Sequence, residues 1–171
     1  MTYTVTQVQQ LLQELRDRDQ KLLYQENLDW EEFNQFSRRC CKVIEEVISQ
    51  YEEISIPKFG IKTSNNAWLL VQHMDWNRKF QQKYLDIMLK NPDDFDPTNI
   101  AYLTDRVLVG RNKPQIYGTQ FQNHIEEGVY RPFPTDDPKN VNLRRAEVGL
   151  ETIEEYAKHW PTADLSDFYN Q

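Results

Sequence analysis

Two stretches at the start of the chain combine a helix start signal with an apolar stripe, and together they constrain the fold more than any other feature. Thr4 followed by Gln7 reads as a capping box, and Val8, Leu11, Leu12, Leu15, Leu22 and Leu23 then recur at helical spacing. Asp29 with Glu32 repeats the start signal, ahead of Phe33, Phe36, Cys40, Val43, Val47 and Tyr51. The charged residues between them form a solvated face. The pattern predicts an antiparallel helical hairpin over residues 1–53, joined near Gln25 to Leu28.

Pro57 and Gly60 interrupt the pattern, so residues 54–63 read as a loop. Ser64 to Asn66 read as the cap of a short helix through Trp68, Leu69, Leu70 and Val71, ending near His73. Asp75 suits the N-cap of the next helix, with Trp76, Phe80, Tyr84 and Met88 buried. Asp96 and Pro97 open a helix expected to reach Thr104. Val107–Val109 and Gln115–Tyr117 flank a turn signal at Gly110 to Lys113, the pattern of a β-hairpin. Asn142 reads as the cap of a short helix ended by Gly149. A last helix runs through Ile153, Tyr156 and Ala157 and is stopped by Pro161. The tail, 162–171, is polar apart from Leu165, Phe168 and Tyr169, which can dock it. The expected fold is mainly α, a single-domain helical bundle (1–171) with a small β-hairpin.

Composition narrows the function classes. A chain of 171 residues can bury about two-thirds of its unfolded surface, and 8 Phe, 9 Tyr and 4 Trp supply large areas to bury. The net charge of −7 argues against nucleic acid as a partner, because phosphate-backbone binding relies on Lys and Arg. No apolar run approaches the roughly 20 residues that cross a bilayer, so no membrane role is expected. The start, MTYTVTQVQQ, lacks the pattern of a signal peptide. Cys40 and Cys41 are adjacent and cannot staple distant segments; on a helix, one of them is expected to face the core. A reduced, cytoplasmic protein is the expectation.

Candidate chemistry concentrates in residues 99–121 and around His73. The candidate catalytic groups are His73, Asp75 and Asp105: an imidazole can take or give a proton, and a carboxylate can orient its other nitrogen. The structural alternative is a hydrogen-bonded histidine beside an N-cap aspartate. Arg106, Gln115, Tyr117, Thr119, Gln120, Arg144 and Arg145 are the candidate substrate-binding groups. Arg offers a planar fork for a carboxylate or phosphate. The amides, phenol and hydroxyl can orient a polar molecule, or can instead satisfy nearby backbone. Arg144 and Arg145 are read as lying near a helix start, where the macrodipole disfavours cations and calls for partners. No phosphate-cradling loop, dinucleotide fingerprint, nucleophile elbow or paired-cysteine metal motif is present. No cofactor is therefore expected, although His73, Asp75, Asp105 and His124 offer N and O ligands that can suit a divalent metal.

The segments AWLLVQHMDWNRKFQ, AYLTDRVLV, KPQIYGTQF and DPKNVNLRRAEVGL, spread over Phe59 to Tyr156, together resemble an uncharacterised bacterial family of unknown function. Its pattern runs Gln-His-x-Asp, Leu-x-Asp-Arg, Pro-Gln-x-Tyr-Gly-Thr-Gln and Arg-Arg-x-x-x-Gly-Leu. This chain departs at the turn, carrying Asn112 where the family often has Gly; Asn tolerates a left-handed backbone. The resemblance implies that His73, Asp75, Asp105, Arg106, Gln115, Tyr117, Gln120 and Arg145 share one site, and it brings no activity with it. The function expected is acid/base chemistry, hydrolase- or lyase-like, on a polar, anionic small molecule. The alternative is a non-catalytic protein that sequesters a ligand or neutralises a basic protein partner.

Overall fold

The computed structural model describes residues 2–160 and 162–170, which divide into two compact units, one up to Asp96 and one from Pro97. It is mainly helical, with one two-stranded antiparallel sheet among the described residues.

The first unit begins with the hairpin that the caps predict. Helix α1 (Val5–Leu23) starts where the Thr4 hydroxyl accepts the Gln7 N–H and the Gln7 side chain accepts the Thr4 N–H. Helix α2 (Trp30–Tyr51) starts on Asp29, whose carboxylate accepts the N–H groups of Glu31 and Glu32. At one end Gln50 and Tyr51 bond the Tyr3 backbone, and at the other Arg18 pairs with Glu32, so the two helices run antiparallel. Val8, Leu12, Leu15 and Leu22 of α1 are buried, as are Phe33, Phe36, Ile44 and Val47 of α2. Both cysteines are buried rather than one, because Asn77 covers Cys41 and donates to its sulfur at 3.6 Å.

The expected loop at 54–63 is instead a one-turn helix, α3 (Ile56–Phe59), followed by the start of α4 (Ile61–Gln72). Gly60 separates them at φ 82°, ψ 156°, a conformation that only glycine adopts at little cost. The helix therefore begins three residues before Ser64. Asp75 does not cap α5 (Arg78–Lys90). It opens a short 3₁₀ turn, and Asn77 supplies the cap by accepting the Phe80 N–H at 3.1 Å.

The second unit corrects the hairpin. Helix α6 runs Pro97–Val109, beyond Thr104, so Val107–Val109 are helical. Gly110 to Lys113 close this helix: the Lys113 N–H returns to the Leu108 carbonyl and Asn112 sits at φ 56°. Gln115–Tyr117 form no strand. The sheet pairs β1 (Phe121–His124) with β2 (Val129–Pro132) around Gly128. Helix α7 (Val141–Glu147) begins one residue ahead of Asn142, whose carboxamide oxygen instead accepts the Ile153 N–H at the start of α8 (Ile153–Ala157). The expected stop at Pro161 lies outside the described residues. Val141, Ile153 and Phe168 form a buried cluster against which Leu165 and Tyr169 pack, so the tail is docked. Gly118 lies close to this cluster: a Cβ there would stand 2.5 Å from Ile153 Cδ1.

Candidate functional site

His73 is the C-cap of α4, and its position is set from two sides. Gln81, fully buried on α5, donates to the Val71 and Gln72 carbonyls and to Asp75 Oδ1, satisfying the end of α4 as it turns. From α1, Asp19 meets the imidazole: Nδ1 donates to Oδ2 at 2.8 Å and to Oδ1 at 3.0 Å. The Asp19 side chain is 3% exposed and that of His73 is 24% exposed. A carboxylate can only accept here, so Nδ1 carries the proton and Nε2 keeps its lone pair in the neutral ring. Nε2 has no hydrogen-bond partner among the described residues. Phe33 of α2 flanks the ring at 6.4 Å, and the largely exposed Trp30 meets Phe33 edge-on.

The partner of His73 is thus Asp19, neither Asp75 nor Asp105. Asp75 is turned to Gln81 and stands 4.0 Å from Arg78. Asp19 carried a readable signal. It lies four residues after Leu15 and three before Leu22, so a carboxylate occupies the buried stripe of α1. Both thiols are unsuited to nucleophilic work. Burial, reinforced by the charge of Asp19, pushes the Cys40 thiol up to about 12, and burial also raises Cys41.

The remaining candidates belong to the second unit, where most of them organise the segment 115–120. Asp105 is fully buried on α6, and five donor contacts converge on its two oxygens: Ile116 N at 2.7 Å, Tyr117 N at 3.1 and 3.2 Å, and Thr119 N and Oγ1, each at 2.9 Å. Burial pushes its carboxyl above the ordinary aspartate value, and the donors from Thr119, Tyr117 and Ile116 pull it back. Gln115 donates to the Gln120 and Phe133 carbonyls and accepts the Gln120 N–H, so both ends of its amide are engaged. Gln120 in turn donates to the Thr119 hydroxyl.

The paired arginines complete this arrangement. Both sit in the last turn of α7, where the macrodipole favours cations, the reverse of the position the sequence suggested. Arg144 donates to the carbonyls of Ile116, Asp136 and Asp137. Arg145 is fully buried; it donates to the Tyr117 and Glu151 carbonyls and lies over the Tyr156 ring at 4.9 Å. Arg144 also stands 3.7 Å from the Asp137 carboxylate, and Arg145 Nη2 is buried with no hydrogen-bond partner among the described residues. Tyr156 donates to the Thr119 carbonyl, and burial raises its phenol, as it does that of Tyr117. Arg106 and the Tyr117 side chain are half-buried in the same unit. Among the described residues no three His, Cys, Asp or Glu side chains are grouped to hold a metal ion.

A model for a family of unknown function, DUF6624, matches residues 29–165. The chain belongs to that family. The match starts at the α2 cap and covers His73, the 115–120 segment and both arginines, but not Asp19. No curated protein and no solved structure matches this DUF6624 chain. No helix of the described residues is long and apolar enough to cross a membrane.

Proposed function

We propose that this DUF6624 protein is a small enzyme that moves a proton at His73 Nε2, with Asp19 as the orienting carboxylate. One observation supports the reading: a partly exposed imidazole is held through Nδ1 by an almost fully buried aspartate, while Nε2 is left unengaged. In that state Nε2 is a base, and Asp19 stabilises the imidazolium formed once it has taken a proton. Both thiols are buried and raised above their ordinary value, so neither is an activated nucleophile. The reaction class is therefore activation of water or removal of a substrate proton, hydrolase- or lyase-like, on a polar small molecule. Positioned acid/base catalysis of this kind contributes about 10²–10⁴-fold. Two adjacent, free, buried cysteines suit a reducing compartment, and we place the protein in the cytoplasm.

The second reading, a non-catalytic binder that sequesters a ligand or neutralises a basic protein, is favoured by a different observation. Asp105, Gln115 and Arg144 spend most of their polar contacts on the protein's own backbone, as do Nε and Nη1 of Arg145. The two readings separate in a metabolite library screened for thermal shift and then for turnover. The enzyme reading expects turnover of a compound that shifts the melting temperature, lost by about 10²-fold or more in His73→Gln and reduced in Asp19→Asn. Saturable binding with no turnover, or full turnover by a folded His73→Gln protein, ends it.

A further inference from the structure

A groove of about 620 Å3 runs between α1 and the start of α4, lined by Gln9, Gln13, Glu14, Lys62, Thr63 and Asn66 among others. Its geometry makes no use of His73: Asn66 is seven residues away along α4, about 10 Å at 1.5 Å per residue. We propose that this groove binds a small acid, its carboxylate or phosphate seated on the first turn of α4 and an N–H- or O–H-bearing end directed toward Asn66 and Glu14.

Three observations carry this. First, α4 is uncapped. Gly60 provides no side chain, and the first hydrogen bond returning to its carbonyl comes from Ser64. The N–H groups of Ile61, Lys62 and Thr63 have no hydrogen-bond partner among the described residues. Uncapped N–H groups at the positive end of a twelve-residue helix attract an oxyanion. Nothing lies within 4 Å of where a Gly60 Cβ would stand, so the approach is open.

Second, Thr63 is only 5% exposed, lines the groove, and its hydroxyl has no hydrogen-bond partner among the described residues. A hydroxyl beside an uncapped first turn adds a fourth donor for an anion. Lys62, in the same first turn, also lines the groove, and its positive charge reaches Asp17 on α1. Third, the far end offers acceptors. Asn66, 8% exposed, spends its N–H₂ on Gln13, and its oxygen has no hydrogen-bond partner among the described residues. Glu14 adds a carboxylate there. Donors at one end and acceptors at the other describe a ligand of opposite polarity, as in a hydroxy or amino acid. The volume lies within the range of small-molecule sites.

The test is an amide NMR titration of the full chain with sodium phosphate, sodium acetate and serine, against sodium chloride at matched ionic strength. Saturable shifts at Ile61, Lys62 and Thr63 are expected with all three, with serine tighter than acetate because it alone carries donors for the far end. Lys62→Gln, a surface change, and Thr63→Val should each weaken binding several-fold. Shifts no larger than those with chloride, or binding unaffected by Lys62→Gln in a folded protein, overturn the site. Serine binding no tighter than acetate overturns the assignment of a donor-bearing end. None of these outcomes depends on His73.

Discussion

Asp105→Asn probes the 115–120 segment where its support is most concentrated. In the wild type, Oδ1 accepts the N–H groups of Ile116 and Tyr117, and Oδ2 those of Tyr117 and Thr119 together with the Thr119 hydroxyl. Asparagine keeps one oxygen and presents N–H₂ at the other position. With the amide nitrogen at the Oδ1 position, the Ile116 N–H faces a donor; at the Oδ2 position, the Thr119 N–H does, although the Thr119 hydroxyl can rotate to accept. Either orientation orphans at least one buried N–H, at about 1–3 kcal/mol. The surviving bonds lose the strength that charge lends them, roughly another 1 kcal/mol. Relief from burying a charge offsets part of this, leaving a net loss of about 2–3 kcal/mol. Urea denaturation followed by circular dichroism should show the midpoint falling with its slope preserved, and Asp105→Ala should cost at least as much because no acceptor survives. An Asp105→Asn protein within about 0.5 kcal/mol of wild type, the range of an ordinary surface change, would refute the idea that this carboxylate organises the segment.

Three further outcomes follow from other contacts. Gly118→Ala should cost about 2–4 kcal/mol, combining a left-handed backbone with the overlap on Ile153 Cδ1; adding Ile153→Val should recover part of it, and strictly additive losses in a double-mutant cycle would contradict this. Asp164 is held down to about 2, chiefly by the Ser166 N–H and then by Arg131, below the ordinary 3.8. The unfolded chain therefore binds more protons between those values, so its contribution is complete above 3.8 and is lost as pH falls through about 2; a carboxyl 13C titration centred at or above 3.8 would contradict it. Cys40 and Cys41 should react with a thiol reagent only as fast as the protein opens, and rapid labelling of the native state would show that burial does not protect them.

What could be read in advance was local. Thr4 with Gln7 and Asp29 with Glu32 act within a single turn, so the starts of both long helices were legible to the residue. Where several neighbours can do the same job, sequence order does not choose among them. Asn77 rather than Asp75 caps α5, and Gly60 permits a helix start three residues before Ser64. Val107–Val109 have the composition of a strand, but they continue a helix already propagating from Pro97, with Val107 on its buried side, and the Gly110–Lys113 signal serves to end it. The strands that do form, Phe121–His124 and Val129–Pro132, are short and weakly patterned. In the candidate site, His73 could be singled out from its residue type and its place at a helix end. Its partner could not, because Asp19 lies 54 residues earlier in the chain. Its only trace was a charge standing in an apolar stripe. The polar density at 115–120 was visible, but density does not distinguish groups facing a ligand from groups facing their own backbone.

The most direct measurement is a long-range 1H–15N correlation spectrum of His73 in the neutral ring form. An imidazole gripped by Asp19 should carry its proton on Nδ1 and leave Nε2 as the lone-pair nitrogen, and Asp19→Asn should abolish that preference in a protein that still folds. A proton found on Nε2, or His73 nitrogens unmoved by Asp19→Asn, would contradict the account at its base.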